Sequence, residues 1–261
     1  FSEGAKRLVA AGFDIIDINF GCPVKKVLGR CRGGFHLSQP DVALDIIRRT
    51  RDVVPDEIPV TVKMRRGIDD TPESEDNFFR ILEGGFDIGL AAATVHGRSV
   101  VQRYDGPSRW EFLNLVKERF PDKVILGSGD LFSPMDCLNM IEQTGVDGVT
   151  VARGAIGNPW IFSQARALSE GRPLPNPPTQ AEQRDVLREH FSLAIEIYGE
   201  QRASIVMRKF GIKYSALHPN HHEIRGKFAR CKSREEWMDV IAQWYSDHGP
   251  GCHPPEDLHI K

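Results

Sequence analysis

Five short runs rich in Val, Ile and Ala recur through the first part of the chain, each set apart from the next by an amphipathic stretch. They are Ile15 to Phe20 (IIDINF), Pro59 to Met64 (PVTVKM), Leu90 to His96 (LAAATVH), Lys123 to Ser128 (KVILGS) and Gly148 to Ala152 (GVTVA). Runs this short and this apolar read as parallel strands buried by helices. Helical periodicity fills the gaps. Val42, Ile46 and Ile47 share a face after Pro40-Asp41, and Phe78, Ile81 and Leu82 after Thr71-Pro72. Trp110, Leu113, Leu115 and Val116 follow Pro107-Ser108; Met135, Leu138 and Ile141 follow Ser133-Pro134. Proline at such positions is a helix-start signal. β then α, five times over, predicts an α/β domain with a parallel sheet.

The period changes after the Pro-rich stretch 171–178. Val186, Leu187, His190, Phe191, Ala194 and Ile197 form one helical stripe, Val206, Met207, Phe210 and Tyr214 a second, and Trp237, Val240, Ile241 and Trp244 a third. The expected organisation is therefore an α/β domain over 1–170, a linker over 171–178, an all-α domain over 179–246 and a loose tail over 247–261.

Bulk properties exclude some classes. No apolar stretch approaches the ~20 residues of a membrane helix. Residues 1–11 lack the apolar core of a signal peptide. The chain does not begin with Met, so a fragment or processed product is expected. Five scattered cysteines without a Cys-x-x-Cys pattern fit a reducing compartment, hence the cytoplasm. A net charge of -2 gives no overall signature of a nucleic-acid binder, so any RNA-binding residues must be gathered on one face.

Residues that can carry chemistry sit where the strands end, the functional end of an α/β barrel. The first run leads into Asn19-Phe20-Gly21-Cys22-Pro23, where a tight glycine and a stiff proline would hold Cys22 at the mouth. A buried, inert thiol is the competing reading. Lys63, in the run ending Lys63-Met64-Arg65, needs an acceptor if it points inward; a snorkelling lysine is the alternative. His96 precedes Gly97-Arg98, which tilts a lone strand histidine toward binding negative charge or a polar ring. Ser128-Gly129-Asp130 and Ala152-Arg153-Gly154 are glycine-bearing loops after the fourth and fifth runs, suited to a phosphate. His221-His222-Glu223 and Cys252-His253 lack the spacing of a metal site, and none is expected.

Taken in order, these motifs resemble the signature of the tRNA-dihydrouridine synthases. They are Asn19-Phe20-Gly21-Cys22-Pro23 with Val27 and Gly33-Gly34; Val62-Lys63-Met64-Arg65; Val95-His96-Gly97-Arg98; Ser128-Gly129-Asp130; and Arg153-Gly154-Ala155-Ile156-Gly157-Asn158-Pro159-Trp160. Met207-Arg208-Lys209-Phe210 resembles the family's helical domain. The resemblance runs from Phe1 to about Ser246. It implies a (β/α)8 barrel that binds FMN, followed by a helical tRNA-binding domain. It also implies the reaction: NADPH reduces the flavin, hydride passes to uracil C6, and Cys22 gives a proton to C5. A thiol is largely protonated near neutrality and can act as that acid.

Position by position, the resemblance places Lys63 and His96 at the flavin ring. Ser128, Gly129, Asp130, Ala152 and Arg153 fall at its phosphate region, and Asn19, Arg65 and Arg98 at the uracil. Arg208 and Lys209, with Arg202, Lys213, Arg225, Lys227, Arg230 and Lys232, would face tRNA. Here Ser128 stands where the family has Asn, and Ala152 where it has Gly. The family also opens with three βα units that are absent from this sequence, one giving a Pro-Met loop and another a Gln to the flavin. A partial barrel of about five units is expected, with weak FMN binding. Two other readings remain open: a flavin-dependent dihydroorotate or dihydropyrimidine dehydrogenase, which the helical domain argues against, and a non-catalytic RNA-binding fragment.

Overall fold

The computed structural model describes residues 1–255. They form two compact units: residues 1–131 with 136–151, and residues 132–135 with 152 onward.

The first unit follows the predicted alternation. Helix α1 (Ser2–Ala10) leads to β1 (Ile16–Phe20), then α2 (Lys25–Leu28), a 3-10 turn (Gly33–Ser38) and α3 (Pro40–Arg51). After these come β2 (Val60–Arg65), α4 (Pro72–Ile88), β3 (Ala92–His96), α5 (Trp110–Arg119), β4 (Val124–Ser128), α6 (Pro134–Thr144) and β5 (Gly148–Thr150). The strands pair in parallel in the order β1-β2-β3-β4-β5. Sequential parallel βα units are the building plan of a (β/α)8 barrel, and five of them leave the sheet open.

Helix starts explain themselves. α3 and α4 carry proline in the first turn, where its missing N–H costs nothing. Thr71 caps α4, its side chain accepting from the Ser74 N–H at 3.3 Å. α5 begins at Trp110, the first residue of the stripe expected after Pro107-Ser108. The intervening Ser108 and Arg109 N–H groups are taken by Asp130 (2.7 Å) and the Gly97 carbonyl (3.0 Å).

One sheet face packs under the helices through Ile16, Ile18, Phe20, Val60, Val62, Met64, Ala93, Val95 and Ile125, all buried. Each large side chain buried there contributes roughly 1.5–3 kcal/mol. Helix registers differ in places from the predicted stripes. On α6 the buried residues are Cys137, Met140 and Thr144, while Met135 and Ile141 are exposed. The cause is a notch at Gly127, where an added Cβ would lie 2.5 Å from the Met140 sulfur. Val42 and Leu115 also face outward, and Ala43 and Phe112 take the inner positions.

The second unit contains a 3-10 turn (Arg153–Ala155), α7 (Ile161–Ser169), α8 (Gln180–Tyr198), α9 (Glu200–Val206), α10 (Arg208–Tyr214), α11 (His221–Arg230) and α12 (Arg234–Trp244). A capping box starts α8, with Thr179 and Glu182 each bonding the other's backbone N–H. The core centres on Trp237, stacked on Phe191 (centroids 5.0 Å apart) and tilted on Phe228 (4.4 Å). Gly211 allows this packing, since a Cβ there would sit 2.6 Å from the Phe228 ring. Leu187, Phe191 and Ala194 supply the predicted α8 stripe, but Ile197 is 72% exposed. It lies about 80° around the helix from that line and one turn beyond it.

Past α12 the sequence shows no period, yet Gln180 bonds to Gly249 and Pro250, and the Cys252 N–H to the Leu217 carbonyl at 2.9 Å. Residues 256–261 of the expected tail lie outside the described residues.

Candidate functional site

In a parallel sheet, alternate residues of neighbouring strands in register share a face. Opposite the helix-packed face, the register sets Asn19 beside Lys63 and Lys63 beside Thr94. One row further along, Arg65 lies beside His96 and His96 beside Ser128. Asn19, Lys63, His96 and Ser128, drawn from four strands, thus occupy two adjacent rows at the C-terminal end of one face. The face is open at its first strand, where Asp17 and Asn19 are exposed.

Cys22 sits just past β1 in the loop before α2, partly exposed. Its carbonyl accepts from the Gly34 N–H at 3.1 Å, folding the 22–34 loop back on itself. Gly33 makes the fold possible with φ +60, and a Cβ there would lie 2.9 Å from the Cys22 Cβ. Arg65 braces the same rim. It is 3% exposed and donates to the carbonyls of Gly21 (3.0 Å), Ser99 (2.8 Å) and Arg103 (2.7 Å). Its guanidinium also stands 5.6 Å from the ring centre of Tyr104. Tyr104 is an exposed aromatic that the sequence reading passed over, since nothing local separates it from any loop tyrosine.

Lys63 is half-buried, and no hydrogen bond or ion pair among the described residues reaches its ammonium. Burial and the nearby Arg65 lower its pKa, while Asp17 works the other way. The Asn19 Oδ1 accepts from the Gly21 N–H at 2.9 Å, which leaves the amide NH2 free to donate.

His96 receives the Arg98 backbone N–H on Nδ1 at 3.1 Å. A neutral ring with Nδ1 accepting carries its proton on Nε2. Burial first, then the charges of Arg65, Lys63 and Arg98, push its pKa down to about 3, with Asp130 opposing. The side chain is therefore a neutral Nε2–H donor across the physiological range. An unfolded histidine takes a proton below about 6.5 and the folded one does not until about 3, so stability is lost as pH falls through that window. Urea unfolding followed through Trp110 should show the decline between pH 6.5 and 4. His96→Asn should remove about one proton from the uptake, flattening the slope by up to ~1.4 kcal/mol per pH unit. An unchanged slope would show that the ring already titrates normally.

Arg98, 3% exposed, donates through Nη2 to both Asp130 oxygens (2.8 and 2.7 Å) and through Nε to the Gly106 carbonyl (2.9 Å). Its Nη1 has no partner among the described residues. Gly129 takes φ +119, and its carbonyl accepts from the Trp110 indole at 3.2 Å. Ala152 and Arg153 belong to the second unit; Arg153 stands 5.0 Å from the ring centre of Phe132. In that unit Arg202, Lys209, Lys213, Arg225, Lys227, Arg230 and Lys232 are exposed. Arg208 is only half-exposed, its Nε bonded to the Cys231 carbonyl at 2.5 Å, so it ties α10 to the end of α11.

An ammonium without an acceptor and an imidazole Nε2–H form a donor set on one sheet face. Such a set fits the electron-rich edge of a planar heterocycle or an anion. No helix among the described residues is long and apolar enough to cross a membrane.

The sequence profile of one known family, Dihydrouridine synthase (Dus), matches residues 1–247. A "Probable tRNA-dihydrouridine synthase" of Rickettsia conorii is 35% identical over 245 residues, covering 94% of this chain and 72% of that protein. One of Mycobacterium leprae is 36% identical over 238 residues, covering 89% and 60%. The "tRNA-dihydrouridine synthase B" of Xanthomonas campestris pv. campestris is 32% identical over 255 residues, covering 97% and 75%. Among solved structures, 6-hydroxypseudooxynicotine amine oxidase from Pseudomonas geniculata N1 aligns at a TM-score of 0.48 and 19% identity, over 72% of this chain and 30% of that one, too weakly to bear on function.

Proposed function

The chain belongs to the dihydrouridine synthase family, and from that premise we propose that it reduces a uridine of tRNA to 5,6-dihydrouridine, with FMN as resident flavin and NADPH as reductant. The observation that supports the reading best is the shared face at the strand ends. There Asn19, Lys63 and His96 present unsatisfied donors beside the loop that carries Cys22.

The donor set fits a flavin. Lys63 and the His96 Nε2–H would hold the carbonyl edge of its ring, and Ser128 and Gly129 its phosphate end. When bound and reduced, the flavin supplies the hydride for uracil C6. The chain's own residues do the rest. Asn19, its amide oriented by Gly21, donates to a uracil carbonyl. Cys22 gives its thiol proton to C5, so that one hydride and one proton add across the C5=C6 bond. Arg65 holds the loops on either side in place, and the exposed Tyr104 ring offers a surface for a base. The target uridine must leave its stack to reach this face. The exposed Lys209, Lys213, Arg225, Lys227 and Arg230 would hold the tRNA backbone.

The test is incubation of unmodified tRNA with the protein, FMN and NADPH, then mass spectrometry of the nucleosides. A uridine gaining two hydrogens upholds the reading. RNA binding without turnover would favour a non-catalytic RNA-binding role, and reduction of free pyrimidine a dehydrogenase of small substrates. Lys63→Met keeps the stem and removes the donor. It should weaken FMN binding about tenfold in a flavin fluorescence titration, the worth of a hydrogen bond from a charged group. Undiminished affinity would remove Lys63 from the flavin.

A further inference from the structure

We propose that Asp130 and Arg98 serve the reaction through His96, as a strut that fixes the place and tautomer of its imidazole, rather than by touching flavin or uridine themselves. The Asp130 carboxylate receives Arg98 Nη2 on both oxygens and the Ser108 N–H at 2.7 Å. The same guanidinium is pinned on its other side to the Gly106 carbonyl through Nε and Nη2, at 2.9 and 2.5 Å. These bonds join the loop after β4 to the loop after β3. The Arg98 backbone N–H, set in position by its own anchored side chain, is the group that donates to His96 Nδ1.

The loops beside the ring leave room only for glycine. A Cβ on Gly129 would lie 3.3 Å from His96 Cε1 and 2.8 Å from the Ser108 Cβ, and one on Gly97 2.6 Å from the Arg109 carbonyl oxygen. Asp130 holds φ +57, a conformation unusual for a residue with a side chain and best tolerated by Asp and Asn. Such strain persists where surrounding bonds over-determine it. Here they lock the imidazole as an Nε2–H donor. A carboxylate bonded in this way is also poorly placed to meet a phosphate, which it would repel.

The inference rests on the reading that His96 serves the flavin, and its test separates the two. Asp130→Asn keeps the size and the tolerance for positive φ but removes the charge that gathers Arg98. Arg98→Lys keeps a cation yet cannot span Gly106 and Asp130, and it carries the test if Asp130→Asn does not fold. The readout is the pair of His96 ring ¹⁵N shifts in the flavin-free protein, assigned by their loss in His96→Asn. The wild type should show the widely separated pair of an Nε2–H tautomer. In either variant the two should converge as the ring samples both tautomers, with FMN affinity falling about tenfold. Shifts that stay put in a folded variant overturn the strut, as does lost FMN affinity without convergence. Convergence with full FMN affinity upholds the strut and removes the flavin role given to His96.

Discussion

Replacing Cys22 with alanine is expected to slow uridine reduction by ~10²–10⁴-fold, the usual contribution of a positioned general acid. Reduction of the flavin by NADPH should continue, because in the proposed mechanism the thiol enters only after hydride has reached the pyrimidine. The two half-reactions are separable by following flavin bleaching under NADPH and dihydrouridine formation in tRNA. The loop should survive the change. Its shape comes from the Gly34 N–H to Cys22 carbonyl bond and the positive φ of Gly33, neither of which needs the sulfur. Uridine turnover at the wild-type rate in the alanine variant would take the proton-donor role away from Cys22.

Gly157→Ala is expected to cost the second unit roughly 3 kcal/mol or more, the sum of overpacking and left-handed strain. Gly157 adopts φ +85, and a Cβ there would meet the Lys213 Cβ and carbonyl oxygen at 2.7 Å. A main-chain atom of α10 cannot swing aside as a long side chain would. Gly171 is the control: its φ is +70, but nothing lies within 4 Å, so alanine there bears the strain alone. Urea unfolding followed through Trp160, Trp237 and Trp244 should show a much larger loss for Gly157→Ala than for Gly171→Ala. Equal losses would mean that α10 yields freely. The contact joins the loop bearing Arg153 to the helix bearing Lys209 and Lys213, so on the proposed tRNA-binding role of those lysines the variant is also expected to weaken tRNA binding.

Much of the candidate site was legible before any coordinates. Asn19, Lys63, His96 and Ser128 each lie at the end of a run of apolar residues or one residue short of it, and strand period alone puts alternate residues on one face. The alignment of the four runs into two rows was not legible, because register is set between strands tens of residues apart. Helix faces illustrate the same limit. The period of α6 was plain, but Met135, Leu138 and Ile141 fit it as well as Cys137, Met140 and Thr144. The notch at Gly127 chose between them. Arg98 and Asp130 were visible as charged residues near a mouth, and their bonding to each other was not.

By itself, then, the order of amino acids determined the alternating elements, the change to helical packing after residue 178 and the chemistry placed at each strand end. These depend on residues a few positions apart, whose spacing selects one backbone period over another. Tertiary structure decided which donors stay unpaired, which ring nitrogen of His96 carries the proton and how closely Gly157 meets α10. Each of those depends on groups brought together from distant parts of the chain, where a change of an ångström in approach decides whether a bond forms.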